Sequence, residues 1–221
     1  MRTLTKELQD HLTPHKAYEI LVDGNRRFVN NLRYNRNLLA QVNETSEGQY
    51  PFAIVLSCID SRTSAELVFD QGLGDIFSVR IAGNVLNEDI LGSMEFACHV
   101  AGSCLIVVLG HTKCGAVKGA CNHVELGHLT GLLAKVSPAM HEVERTGGSQ
   151  LSPDAFVERV AVENTRRQMR AILERSPLLE HMFNEGKIGL VGGSYAVETG
   201  EVTFFSEQFA KAGDTPISAV A

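Results

Sequence analysis

The chain has 221 residues, 44% hydrophobic and 21% charged, a composition that suits one globular domain with terminal extensions and excludes repeat arrays and bulk disorder. Twenty Lys and Arg against 26 Asp and Glu leave a formal charge of −6, with no basic cluster dense enough to neutralise a run of phosphates, so nucleic acid is not expected as a partner. No apolar run approaches the roughly 20 residues of a membrane span, and the first residues lack the apolar core of a signal peptide, so a cytoplasmic location is expected. Five cysteines are an odd number in a chain too large to need disulfide staples. Reduced thiols, some of them metal ligands, follow as the expectation.

Along the chain, residues 14–32 carry Ala17, Ile20, Leu21 and Phe28 at helical spacing, which predicts an N-terminal helical arm. Its apolar stripe needs a surface, and a partner subunit would provide one. Residues 52–57 form a β-branched run that stops at Cys58-Ile59-Asp60-Ser61-Arg62, so a buried strand feeds a polar loop. A short helix over 64–69, a break at residues 71–74 and a strand over 76–81 follow, closed by Ala82-Gly83-Asn84. Residues 88–100 read as a helix, and 105–109 as a third buried strand ending at Gly110-His111-Thr112-Lys113-Cys114-Gly115. Helices are expected at 116–123, 129–136 and 154–174, the last opened by Ser152-Pro153. A strand over 187–191 and a terminal hairpin of 195–197 with 202–205 complete the pattern. Alternating helices and continuously apolar strands predict an α/β fold, a mostly parallel central sheet flanked by helices.

In such a sheet, sites form beyond the carboxyl ends of the strands. Cys58 follows the first strand, His111 the third, and Cys114 lies three residues on, where a helix starts. Two thiolates and one imidazole with a fourth position open is the donor set of a catalytic zinc site, and thiolates favour zinc over Mg, Ca or Mn. The helix start favours the thiolate of Cys114. Such a zinc unit is formally neutral, so water on it is acidified less than in an all-imidazole site and needs help. Asp60 and Arg62, alternate residues on the same loop, supply it: Arg62 holds Asp60 in a bidentate pair, and the ionised carboxylate orients the water. Asp60 is also a potential fourth ligand, which would shut the site.

The segments Cys58-Ile59-Asp60-Ser61-Arg62, Arg80-Ile81-Ala82-Gly83-Asn84 and His111-Thr112-Lys113-Cys114-Gly115, with the intervening residues 66–75, closely resemble the motifs of the β-class carbonic anhydrases. The resemblance extends over about residues 25–205. It implies a β-carbonic anhydrase-like fold and reversible hydration of carbon dioxide to bicarbonate, with one zinc per chain on Cys58, His111 and Cys114, and Asp60 with Arg62 as the catalytic dyad. It further implies a substrate pocket lined by Phe77, Ala82 and Gly115, a substrate hydrogen bond from Gln49, and Phe96 where the open-site subgroup has Tyr. Homodimers or larger homo-oligomers with sites at the subunit interface are implied as well. The domain reading is a helical arm over 1–36, a zinc-binding α/β catalytic domain over 37–206 and a C-terminal tail over 207–221.

Two other functions use the same residues: hydrolysis of carbon disulfide or carbonyl sulfide, which are linear triatomics like carbon dioxide, and a catalytically silent zinc-binding regulatory module. Retention of both Asp60 and Arg62 argues against the silent module. Cys98, Cys104 and Cys121 read as small core residues, and Cys121, His123 and His128 match no common metal spacing. His99 is placed at the surface, and Arg80 is expected to anchor loops. Gly72, Gly74 and Gly83 read as turns, because they lack the order of a nucleotide fingerprint.

Overall fold

The three apolar runs become adjacent strands of a five-stranded sheet in the computed structural model, which describes residues 3–209. In chain order the elements are helices α1 (Lys6–Asp10), α2 (Pro14–Val29) and α3 (Leu38–Glu44), strand β1 (Ala53–Ser57), α4 (Ala65–Val68), β2 (Ile76–Arg80) and α5 (Glu88–Glu95). A π turn over Phe96–Val100 continues α5, followed by β3 (Leu105–His111), α6 (Gly115–Cys121), α7 (Gly127–Leu133) and α8 (Ser137–Arg145). The chain then forms α9 (Pro153–Arg175), α10 (Pro177–Asn184), β4 (Gly189–Tyr195) and β5 (Val202–Gln208). Sheet order is β2-β1-β3-β4-β5, parallel except for β5. Every residue of β1 and β3 is buried, as the unbroken apolar runs require when helices cover both faces.

From β1 the chain steps to β2 on one side, then returns to place β3 on the other. The carboxyl ends of β1 and β3 therefore flank the crevice where the winding reverses, the place such sheets use for binding.

Local chemistry sets the helix starts. Thr13 accepts from Lys16 N–H at 3.2 Å ahead of Pro14, and Ser152 accepts from Ala155 N–H at 3.4 Å ahead of Pro153, so both long helices open on a side-chain cap with proline in the first turn.

The structure departs from the sequence reading at four places. First, the stripe of α2 needs no partner: Ala17 and Leu21 are fully buried against the chain's own sheet. A Cβ at Gly24 would collide with the Phe69 carbonyl, and Asn25 binds Val68 O, Gly200 O and Val202 N–H at 3.1, 2.9 and 2.9 Å. Second, residues 187–191 and 195–197 are not separate strands. β4 runs through Gly192-Gly193, which break the apolar pattern because a Cβ at Gly192 would strike the Met169 sulfur. The hairpin to β5 is real, with that long strand as its first arm. Third, α1, α3, α8 and α10, five to nine residues long, carry no assignment in the sequence reading; Pro138 and Pro177 stand in the first turns of α8 and α10. Fourth, the expected helix over 88–100 changes to π geometry at Phe96. Most of the tail, residues 210–221, lies outside the described residues.

Candidate metal centre

Three chain segments meet in the crevice. Cys58 comes directly off β1, His111 is the last residue of β3, and Cys114 is the N-cap of α6. They are 4%, 1% and 2% exposed, and their donor atoms all lie within 4.8 Å of one another. Among the described residues this is the one such group of three or more His, Cys, Asp or Glu. Lys113 turns the chain between His111 and Cys114 with φ 54°, letting both side chains face the same point.

The donors fit a thiophilic cation. His111 Nδ1 is 2.9 Å from the Thr112 carbonyl, which fixes Nδ1 as the protonated nitrogen, while its buried Nε2 has no hydrogen-bond partner. An unpartnered buried ring nitrogen beside two buried sulfurs is what a ligand imidazole presents, with the other nitrogen engaged to set the tautomer. The Cys58 thiol is pushed down by the Cys114 thiol against the cost of burial, helped by the His111 ring and by the N–H groups of Gly83 and Asp60. Cys114 is pushed up by the same contact and by burial, although the N–H groups of Val117 and Ala116 at the start of α6 work the other way. A divalent cation held by these donors would stabilise both sulfurs as thiolates.

Asp60 stands outside the cluster. Arg62 donates Nε to Oδ1 at 2.9 Å and Nη2 to Oδ2 at 2.8 Å, and its backbone N–H reaches Oδ1 at 3.0 Å. This bidentate grip holds the Asp60 carboxyl well below the usual carboxylate range despite partial burial. The carboxylate is thus turned to Arg62 and lies outside the group of three donors. Arg80 braces the same loop, donating to Cys58 O at 3.0 Å and Asp60 O at 2.6 Å, the anchoring role its position suggested.

The expected pocket residues divide. Ala82 and Gly115 lie at the cluster: the residue after Ala82 donates to Cys58, Gly115 follows Cys114, and a Cβ on Gly115 would meet nothing within 4 Å. Phe77 is elsewhere. It pairs with Ile54 in the sheet, four residues before Ile81 and so roughly 13 Å down the strand from the cluster. Its ring packs edge-on against Phe96 at 6.3 Å. Gln49 is exposed beside the turn at Gly74, before the amino end of β1. Within one chain, then, Gln49, Phe77 and Phe96 do not join Ala82 and Gly115.

The remaining thiols and imidazoles stay out of the centre. Burial pushes Cys98 to about 12 and Cys104 to about 11, values of inert core thiols. Cys121, His123 and His128 form no metal group, and His99 is exposed on the π turn that precedes the amino end of β3. Two contributors escaped the sequence reading. Gly83 donates its N–H to Cys58 Sγ at 3.4 Å, and Asn164 donates to the Gly83 carbonyl at 2.8 Å. The readable sign was a run of polar residues at core spacing on α9.

Known proteins share this architecture. A sequence profile of the carbonic anhydrase family matches residues 53–202. The chain is 35% identical over 193 residues to carbonic anhydrase 2 of Mycobacterium tuberculosis, covering 85% of this chain and 90% of that one. It is 37% identical over 196 residues to the carbonic anhydrase of Mycolicibacterium smegmatis, covering 86% and 92%. The β-carbonic anhydrase CafA of Aspergillus fumigatus superposes with a TM-score of 0.69 at 27% identity, over 76% of this chain and 81% of that one. With two thiols and an imidazole gathered at the switch point of a parallel sheet, and a profile match spanning β1 to the start of β5, the chain belongs to the β-class carbonic anhydrases.

Proposed function

We propose that this enzyme catalyses the reversible hydration of carbon dioxide with one zinc ion per chain, held by Cys58, His111 and Cys114. The observation that carries the metal assignment is the buried, unpartnered His111 Nε2 grouped with two buried sulfurs. When bound, zinc supplies a Lewis acid that makes water a competent nucleophile near neutral pH. The chain's own residues do the rest. Asp60, kept ionised by Arg62, accepts a hydrogen bond from the attacking water and sets its orientation. Backbone N–H groups temper the two sulfurs, and the open space at Gly115 and Ala82 admits a small apolar substrate. The proton released on forming bicarbonate passes to buffer.

The pocket is completed by a second copy of the chain. Phe77, Phe96 and Gln49 are too far from their own metal centre to act there, and the face that carries the two rings is uncovered. β2 is an edge strand, Phe77 and Val79 are only partly buried on it, and Phe96, whose ring meets Phe77, is 54% exposed. An apolar edge of this kind calls for a partner, and a homodimer pairing two such edges would bring Phe77, Phe96 and Gln49 of one copy toward the crevice of the other. Residues 37–206 are the catalytic unit in this reading. All five cysteines are free and no helix among the described residues is long and apolar enough to cross a membrane, which supports a reducing, cytoplasmic setting.

Zinc quantification and stopped-flow hydration on the purified protein test the proposal. One zinc per chain with a rate well above buffer is expected. Turnover of carbonyl sulfide or carbon disulfide alone, or zinc without any turnover, would overturn it.

A further inference from the structure

Helix α9 points a polar stripe into the molecule. Asn164, Thr165 and Gln168 are 0%, 1% and 5% exposed, on the face that also buries Ala161 and Ile172. Side chains this deep require partners, and theirs lie in one short segment. Asn164 Nδ2 donates to the Gly83 carbonyl at 2.8 Å, and Gln168 Oε1 accepts from the Leu86 N–H at 3.0 Å. Gln168 Nε2 donates to Asn164 Oδ1 at 2.9 Å, which locks the orientation of both amides. Asn84 Nδ2 reaches Thr165 Oγ1 at 3.5 Å.

The gripped segment is conformationally demanding. Gly83 and Asn84 are consecutive residues in the left-handed region, with φ of 70° and 43°, a posture that a chain rarely holds twice in a row without external support. Its product is an N–H···S bond, from Gly83 N to Cys58 Sγ at 3.4 Å. A hydrogen bond to a ligating sulfur draws off part of the charge that the thiolate gives to its cation, and it fixes the direction of the lone pairs.

We propose that Asn164, braced by Gln168, is a positioning residue for the metal centre: by holding the Gly83 carbonyl it aims the Gly83 N–H at the Cys58 sulfur and so sets the donor strength and orientation of that thiolate. The inference rests on Cys58 being a zinc ligand. Asn164 itself touches neither substrate nor metal. Its action runs from a helix on one face of the sheet through one backbone segment to one sulfur.

Cobalt(II) substitution of the full-length protein tests this, because the thiolate-to-cobalt charge-transfer band reports sulfur donation directly. Asn164→Ala is expected to move the band to longer wavelength and to raise the metal dissociation constant about tenfold in chelator competition. Gln168→Leu should give a smaller shift in the same direction. A second modification bypasses the side chains: replacing Gly83 by glycolic acid exchanges only its N–H for an ester oxygen, and should reproduce the Asn164→Ala spectrum. If Asn164→Ala lowers the Tm while band and dissociation constant stay as in the parent protein, the network merely supports the fold and the proposal fails. Should Asn164→Ala not fold, the ester protein decides, and an unchanged band in it overturns the proposal. Absence of a charge-transfer band in the unsubstituted cobalt protein would be a different failure, that of the metal assignment itself.

Discussion

The two ends of the sheet are built by opposite rules. At the carboxyl ends of β1 and β3 the metal donors are buried and the groups around them are gripped: the Asp60 carboxylate by Arg62, the Cys58 carbonyl by Arg80, the Gly83 carbonyl by Asn164. Along the outer edge at the other end, Phe77 is only partly buried at the rim of the core, its ring packs edge-on against the exposed Phe96, and Gln49 is exposed. The first end is complete in one chain because a metal centre needs fixed donors. The second is an unfinished apolar surface, as expected of a region whose partner is another molecule. Under the proposed function, a single chain carries the metal donors and only part of the substrate pocket.

Removing a donor should have the largest effect. Cys58→Ser or His111→Ala is expected to abolish stoichiometric zinc and to lower turnover by at least about a hundredfold, measured by metal analysis and stopped-flow hydration. Full zinc and near-normal rates in both would show that the cluster is not the metal centre.

Next comes the dyad. Asp60→Asn leaves the three donors intact, so zinc should stay at one per chain while kcat falls on the order of a hundredfold, as expected when a group that orients a proton-bearing nucleophile is neutralised. Retained kcat would remove Asp60 from the mechanism.

At the opposite end, Phe77→Arg should leave zinc content unchanged yet convert the oligomer to monomer in sedimentation analysis, with kcat/KM down on the order of tenfold or more. A monomer that keeps full activity would show that one chain suffices, and the contrast between the two ends would lose its functional meaning.

The Asp60–Arg62 pair also predicts a pH signature. Because the folded Asp60 titrates below its ordinary value of 3.8, its ionised form adds stability that is fully present above that value. The contribution is lost as pH falls through the lowered folded value. The Tm deficit of Asp60→Asn relative to the parent should therefore be steady from pH 7 to about 4 and shrink in more acid solution. A deficit that grows as pH falls would contradict the pair. Smallest of all, Cys121→Ser should change neither zinc content nor turnover, since this thiol lies outside the cluster.

Much of the catalytic end was legible because its signals are local. A strand that stops at Cys58, a His-x-x-Cys spacing at the end of another strand, and an Asp and Arg on alternate positions of one loop are read within a dozen residues. The bidentate grip of Arg62 and the anchoring by Arg80 follow from the same short segments. The missed parts are long-range. Gly83 looked like a turn residue, and nothing near Asn164 in sequence shows that its amide meets a backbone carbonyl 81 positions away. The stripe of α2 was legible as a stripe, but its cover was misjudged: Leu21 packs on the chain's own sheet.

By itself, then, the order of residues determined the class of fold and the donor set, since unbroken apolar runs commit β1 and β3 to burial on both faces and ligand chemistry is a property of residue type. Tertiary structure alone decided that the strand order brings Cys58 and His111 to one crevice. It also decided that Ala82 and Gly115 share that crevice while Phe77, Phe96 and Gln49 do not, and that a helix far along the chain braces the segment whose N–H meets one of the sulfurs. The physical reason is common to all three. Direction along a strand and position across a sheet are settled by packing and winding, which no local window of sequence contains.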